Sequence, residues 1–210
     1  QLDDKKREEV RENIEAAITR LQRFQRSDGG FSYWPGGNDV SSWNTSYVGH
    51  FLVAAKAAGY AVPDGMIRTW KQFQKAAARA WNGRFADYGW YNSSSFELDQ
   101  AYRLYTLALA EQPALGAMNR LRERDGLSRN VRWQLAAAYA LAGQTKAATE
   151  LTRLLGTDID NYRELDYTFG STLRDRSMML NALLTIGEDQ QSAALARQIA
   201  DELRSRQWLS

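Results

Sequence analysis

The 210-residue sequence has no cysteine, a single histidine and only three prolines. Without cysteine, these residues cannot form a disulfide, an iron–sulfur centre, a cysteine-ligated zinc site or a thiol nucleophile. One histidine excludes any site that needs two. We therefore expect no metal ion and no cofactor in this part of the protein.

An excess of charge of one sign is also missing. The 27 Lys and Arg residues nearly balance the 25 Asp and Glu residues, which gives a formal net charge of +2. Basic residues alternate with acidic ones instead of clustering, so we expect no nucleic-acid partner. Long apolar runs are lacking too, and none approaches the roughly 18 residues of a membrane-spanning helix.

Aromatic residues, in contrast, are abundant, with 7 Trp, 10 Tyr and 7 Phe. The apolar fraction of 44% and the mean hydropathy of −0.55 are typical of a globular domain. The length fits one domain with a sizeable core, or two domains at most. Because the chain begins at Gln1, without Met or a signal-peptide pattern, we expect an excised piece of a longer protein.

Apolar residues recur at helical spacing along almost the whole chain, which predicts an all-α fold. The first helix is predicted to be stopped by Gly29 and Gly30, because glycine readily ends a helix. The pattern predicts about nine helices, over residues 5–25, 42–58, 63–81, 94–111, 114–124, 130–142, 145–155, 171–186 and 190–206.

Three predicted connections are long and rich in aromatic residues and glycine, over residues 27–41, 82–93 and 156–170. They alternate with tight turns, which is typical of stacked helical hairpins whose loops gather on one face. A weak repeat supports this arrangement, since each long loop precedes a polar helix start and a helix rich in Ala, Leu and Tyr. The least polar helical segments, 51–58 and 101–110, are predicted to lie innermost.

Aromatic side chains near two of these loops are the candidate pocket-lining residues: Phe31, Tyr33, Trp34, Trp43, Tyr88, Trp90 and Tyr91. Two roles fit them. They could stack on sugars or isoprenoid carbon, or they could plug the ends of the hairpins with a polar atom at the rim. Plugging is the simpler interpretation.

His50 could act as a general acid or base near neutral pH. No carboxylate lies at helical spacing from it, and Tyr47, Gly49 and Phe51 are its neighbours. A structural role is therefore favoured.

Several carboxylates could supply a pair for glycoside hydrolysis: Glu97, Asp99, Glu164, Asp166 and Asp175. Adjacent arginines explain some of them more simply as ion pairs. In particular, Arg174 and Asp175 are predicted to form a buried structural pair that holds the 156–170 loop.

An ordered set of short motifs carries a family resemblance. It begins with Leu-Gln-Arg-Phe-Gln-Arg-Ser-Asp-Gly-Gly-Phe at 21–31 and continues with Trp-Asn-Thr-Ser-Tyr-Val at 43–48. Pro-Ala-Leu-Gly, Gly-Ser-Thr-Leu-Arg-Asp and Gln-Trp-Leu-Ser follow at 113–116, 170–175 and 207–210. Together they resemble the thioester (complement-like) domain of bacterial alpha-2-macroglobulins over nearly the whole chain.

This resemblance implies an alpha/alpha toroid, a ring of helical hairpins like that of terpenoid cyclases and prenyltransferase beta subunits. A complete toroid has more helices than the sequence predicts. We therefore expect residues 1–210 to form a single toroid-type domain truncated at both ends, an incomplete ring with part of its apolar inner wall exposed. The enzymes of this fold fit poorly, because the cyclase Asp-x-Asp-Asp motif and the prenyltransferase zinc-binding Cys are absent.

The resemblance also implies a function. The family entraps proteases after bait-region cleavage, and its thioester members carry a Cys-x-Glu-Gln motif whose Cys and Gln side chains form an internal thioester. That motif would fall shortly before Gln1, so this piece either supports a thioester supplied upstream or comes from a member that has lost it. The histidine that assists acyl transfer in many vertebrate members is missing from 87–95, where aromatic residues suit shielding from water.

We therefore expect a non-enzymatic part of a broad-spectrum protease-trapping inhibitor that serves envelope defence. Its expected partners are the trapped proteases and the other domains of the same chain, and its expected location is the periplasm or the cell surface. The alternative is an alpha/alpha-toroid carbohydrate-active enzyme, a glycosidase or lyase whose aromatic loops stack on sugars. A third interpretation is a plain helical-repeat interaction module.

Overall fold

The computed structural model describes residues 3–83, 93–159, 168 and 170–205. Nine helices occur in these ranges, which confirms the all-α prediction for the described part of the chain. They are α1 (Asp4–Leu21), α2 (Ser42–Ala57), α3 (Asp64–Ala80), α4 (Ser93–Leu109), α5 (Leu115–Arg122), α6 (Arg129–Leu141), α7 (Thr145–Thr152), α8 (Thr172–Ile186) and α9 (Asp189–Ser205).

Serine caps fix the start of three of these helices. Ser41, Ser128 and Ser171 each have extended backbone, and each hydroxyl accepts a hydrogen bond from the amide three residues later. Such a cap satisfies one of the free N–H groups of the first turn and contributes about 1 kcal/mol. The predicted starts of α2, α6 and α8 are accordingly correct to within one residue.

The first helix is shorter than its periodicity predicts, because it ends at Leu21 and not at Gln25. The amides of Arg23 and Phe24 bond to carbonyls three residues back, which tightens the chain into a turn. Isolated antiparallel bridges then pair Gln25 with Phe31 and Ser32 with Val40. Apart from such isolated bridges, no strand forms within the described ranges.

The chain divides into two compact units, Gln1–Ala77 and Ala78–Ser210. In the first unit, α1 contacts α2. Its fully buried large side chains are Phe31, Leu52 and Trp70.

In the second unit, α6 is the central element, since it packs against α4, α5, α7 and α8, and α8 also packs against α9. The buried core side chains of these helices include Leu104, Leu107, Leu135, Met179 and Leu183. This is the arrangement that an apolar, alanine-rich α6 favours, since small side chains allow close helix approach.

Burial agrees with the sequence prediction for one of the two least polar segments. Nearly every residue of 101–110 is buried, whereas in 51–58 only Leu52 and Ala55 are buried. No helix in the described part of the chain has the combined length and apolar character needed to cross a membrane.

Candidate functional site

The aromatic loop, which we define as residues 22–41, connects α1 to α2 and contains the Asp-Gly-Gly-Phe motif. The amide of Arg26 bonds to the carbonyl of Gly30, and the amide of Gly29 bonds back to Arg26, which reverses the chain. Gly29 has φ +95°, and a Cβ atom there would lie 2.2 Å from the backbone oxygen of Thr69. Only glycine fits this combination of left-handed backbone and close approach to α3.

Phe31 is the buried centre of the loop. Its amide donates to the Thr45 hydroxyl at 2.9 Å, and its carbonyl accepts from the amide of Ser41 at 2.9 Å. The Thr45 hydroxyl in turn donates to the Ser41 carbonyl at 2.7 Å. Thr45 of the Trp-Asn-Thr-Ser-Tyr motif therefore ties the loop to the first turn of α2.

Trp70 of α3 fills the space beside this motif. Its indole N–H donates to the Thr45 carbonyl at 2.9 Å, and the side chain is fully buried. A Cβ atom on Gly49 would lie 2.0 Å from the indole ring. The first two motifs of the resemblance thus meet in one hydrogen-bonded packing cluster, which we call the anchor: Phe31, Thr45, Gly49 and Trp70.

Sequence reasoning missed two members of this region. Trp70 carries no motif, and Gln25 was assigned to a helix, whereas its side-chain amide donates to the Met66 carbonyl at 2.9 Å and to the Thr69 hydroxyl at 3.2 Å. One signal could have led to Trp70. A glycine inside a helix indicates close approach of another group, and Gly49 lies in the middle of α2.

The four candidate pocket-lining residues within the described ranges differ in exposure. Phe31 and Trp43 are buried, whereas Tyr33 and Trp34 are 52% and 71% exposed. The plugging interpretation therefore suits the first two, and the second two need another account. Tyr88, Trp90 and Tyr91 lie outside the described residues.

His50 lies in α2 directly after Gly49 and is partly buried. Burial lowers the pKa of its imidazole below the ordinary value, because the charged form is poorly hydrated there. Its position inside a packed helix, next to the anchor, suits the structural role that the sequence favoured.

This lowered pKa predicts a pH-dependent stability. Because the folded protein holds His50 in its neutral form, the stability is complete above the unfolded-state pKa of about 6.5 and is lost as the pH falls toward the lower folded-state pKa. We expect the melting temperature of the wild type to fall more steeply than that of His50→Gln between about pH 7 and pH 5. Parallel curves would show that His50 does not contribute.

The described carboxylates that the sequence offered for catalysis are each engaged by an arginine. Glu97 accepts from Arg124 at 2.7 Å, and Asp99 accepts from Arg103 at 3.0 Å, with both side chains of the second pair buried. Glu164 and Asp166 lie outside the described residues. In the part of the chain that is described, no group of three or more His, Asp or Glu residues could hold a metal ion.

Asp175 is fully buried at the start of α8. It accepts from Arg174 at 2.7 Å (Nε) and 2.6 Å (Nη2), and from the side-chain amide of Asn130. Arg174 also donates to the carbonyl of Thr168 at 2.8 Å. The pair therefore connects the start of α8 with α6 and with Thr168, which precedes it in the chain.

An apolar cleft of about 280 Å³ lies between α1, α2 and the start of the aromatic loop. Its lining residues are Ala17, Arg20, Leu21, Phe24, Tyr47, Val48 and Phe51, of which Arg20 alone is charged. Val10 continues the apolar stripe of α1 and is exposed, as is Tyr47. The apolar face of α1 is therefore only partly covered by the described residues.

Comparison with known proteins matches residues 1–107 to the A-macroglobulin TED domain. The chain is 31% identical over 185 residues to alpha-2-macroglobulin of Escherichia coli strain K12, which covers 84% of the chain and 11% of the relative. It is 30% identical over 179 residues to alpha-2-macroglobulin of Xylella fastidiosa strain Temecula1, which covers 80% of the chain and 10% of the relative. The chain thus spans about a tenth of the length of these curated relatives.

Solved structures agree with this match. The native conformation of E. coli alpha-2-macroglobulin superposes with a TM-score of 0.81 at 28% identity, over 100% of this chain and 13% of that one. The trypsin-activated E. coli protein superposes with a TM-score of 0.76 at 26% identity, over 95% of this chain and 14% of that one. The E. coli protein activated by porcine elastase superposes with a TM-score of 0.78 at 26% identity, over 97% of this chain and 18% of that one.

Proposed function

The chain belongs to the A-macroglobulin TED-domain family, and on this premise we propose that it is part of a bacterial alpha-2-macroglobulin that traps proteases. The proposal rests on the similarity to alpha-2-macroglobulins over at least four fifths of the chain. Two of the similar structures are of protease-activated proteins, one treated with trypsin and one with porcine elastase. We therefore propose proteases, and the other domains of the same polypeptide, as the partners of the full-length protein.

Within that protein, these 210 residues act as a helical scaffold and not as a catalytic centre. The chain has no cysteine to form a thioester. The described carboxylates Glu97, Asp99 and Asp175 are occupied by arginines, which leaves them poorly placed to exchange protons with a substrate. If the full-length protein holds a reactive thioester, the residues that form it lie outside these 210 residues, and the scaffold supports them.

The same scaffold suits a protein that changes state. Native and protease-activated relatives superpose on this chain with TM-scores between 0.76 and 0.81. A segment whose fold is common to both states can move as a unit while the contacts around it change. We propose that activation of the full-length protein leaves the anchor intact.

We further propose that the helices form part of an alpha/alpha toroid that other residues of the full-length protein complete. The apolar stripe of α1, through Val10, Ile14 and Leu21, is only partly covered, and an exposed stripe of this kind favours packing against another helix. The location that we propose for the full-length protein is the periplasm or the cell surface, where it would serve envelope defence.

Co-elution with a protease tests the function. Full-length protein incubated with trypsin should elute from a sizing column together with the protease, in a complex that forms only after cleavage of the polypeptide. Catalytically inactive trypsin is the control, because it cannot cleave and should elute alone. Failure of active trypsin to co-elute after cleavage would contradict trapping.

The thioester is a separate question with its own measurement. A Cys-x-Glu-Gln motif encoded upstream of Gln1 should make the full-length protein incorporate methylamine at that glutamine. Substitution of the cysteine by alanine should abolish incorporation. If the motif is absent and methylamine is not incorporated, the scaffold belongs to a member without the thioester.

A further inference from the structure

The middle of the aromatic loop carries an exposed pair of rings, Tyr33 and Trp34, which we call the aromatic tip. The two ring centroids are 5.1 Å apart in an edge-to-face arrangement. Trp34 is 71% exposed and Tyr33 is 52% exposed, whereas Phe31 in the same loop is fully buried. Phe31 therefore anchors the loop in the core, while Tyr33 and Trp34 are available for contact with a partner.

The base of the tip is held by side-chain and backbone hydrogen bonds. The Ser32 hydroxyl contacts the carbonyls of Phe24 at 3.1 Å and Trp34 at 2.5 Å. The amide of Gly37 donates to the Trp34 carbonyl at 3.0 Å, and the amide of Gly36 donates to the Arg23 carbonyl at 3.2 Å. These bonds fix the turn that carries the two rings.

Arg26 also stabilises this turn through its side chain. Its guanidinium donates to the carbonyls of Gly37 and Asn38 and pairs with Asp28 at 3.4 Å. The carbonyls of Gly37 and Asn38 are therefore engaged within the loop. A turn whose backbone is already held in one conformation loses little conformational entropy on binding, so the tip is preorganised for contact.

The chemistry of the tip favours a protein partner over a sugar. Sugar sites combine a ring platform with several fixed polar groups, and here three carbonyls of the turn, those of Trp34, Gly37 and Asn38, are engaged within the loop. Trp and Tyr are, in contrast, the side chains that most often dominate protein interfaces. The face that fits them is apolar, with one acceptor for the Trp34 indole N–H.

We propose that the aromatic tip docks against a neighbouring domain of the same polypeptide. This inference rests on the proposed function, that the chain is part of an alpha-2-macroglobulin. The chain spans only about a tenth of its curated relatives, so most of the polypeptide that could cover the tip lies outside these residues. An intramolecular partner also has the high effective concentration that a small, two-ring contact needs.

Hydroxyl-radical labelling of the full-length protein tests this docking. The labelling rate of Trp34 is measured in the native protein and in the same protein unfolded by guanidinium, and the ratio gives its protection. Trp70, which is fully buried, provides the protected reference within the same molecule. We expect Trp34 to be protected by about tenfold or more, as Trp70 is, because a docked anchor ring is fully desolvated.

Three results would overturn the proposal. One is labelling of native Trp34 at close to its unfolded rate. The second is protection that disappears on dilution, which would identify a second copy as the partner. The third is protection that appears only when a soluble oligosaccharide is added, which would identify the tip as a sugar platform.

A matched pair of variants locates the partner face. In full-length Trp34→Ala, the peptides of the docking face should become labelled several-fold faster. Leu154→Ala should leave them unchanged, since Leu154 is also exposed but lies in the second unit. A protein that traps trypsin with Trp34 exposed overturns the docking alone, whereas protected Trp34 without trapping overturns the proposed function alone.

Discussion

Replacing Gly49 with alanine is expected to destabilise the first unit by about 3 kcal/mol or more. This loss is at or above the upper end of the destabilisation that extra atoms cause in a well-packed core. The added Cβ would lie 2.0 Å from the Trp70 indole, whose N–H is fixed to the Thr45 carbonyl. The indole cannot move aside without losing this hydrogen bond to the Thr45 carbonyl. Urea unfolding followed by tryptophan fluorescence measures the loss.

Gly65→Ala is the matched control. Gly65 lies in α3 of the same unit, and the nearest atom to its added Cβ is the tip of the flexible Arg68 side chain at 3.9 Å. This substitution should be neutral or stabilising by up to about 1 kcal/mol, since alanine favours a helix over glycine. Equal stability of the two variants would mean that Gly49 and Trp70 do not pack as described.

Removing the Asp175 carboxylate is expected to have an effect of similar size in the second unit. Asp175→Ala leaves the Arg174 guanidinium and the Asn130 amide without their shared acceptor in a buried site. Breaking a fully buried ion pair from one side costs about 3–5 kcal/mol. Because Arg174 is 20% exposed and keeps its bond to the Thr168 carbonyl, we expect a loss of about 2–3 kcal/mol here. Thermal or urea unfolding at constant pH measures the change.

An exposed pair provides the comparison for this substitution. Asp64 accepts from Lys56 at 2.6 Å, but its side chain is 84% exposed. Asp64→Ala should therefore have a much smaller effect than Asp175→Ala, because water screens an exposed ion pair. If Asp175→Ala cost as little as Asp64→Ala, the pair would not hold the start of α8 in place.

The helices could be predicted from the sequence because their apolar spacing and their serine caps act locally. The end of α1 could not, because it depends on a bridge between Gln25 and Phe31 that forms only when the loop closes. The partial exposure of 51–58 could not be predicted either. Its composition resembles that of 101–110, and only tertiary packing distinguishes the two segments.

The candidate site was predictable in part for the same reason. The motifs marked Phe31 and Thr45, but nothing local indicated that Trp70 would contact Gly49 from another helix. Composition likewise could not separate Trp43 from Trp34, since Trp43 is buried in α2 whereas Trp34 lies in an exposed turn that Ser32 and Arg26 hold. The family resemblance linked these motifs to a function, which the residues alone left open between several classes.

The activity of trapped trypsin measures the central claim most directly. Full-length protein is incubated with trypsin, and the remaining activity is assayed on a small peptide substrate and on a large protein substrate. Entrapment predicts that cleavage of the small peptide is largely retained while digestion of the protein substrate is strongly reduced, because only the small substrate reaches the enclosed protease. Trypsin that cleaves the full-length protein and still digests both substrates at its original rates would contradict the account.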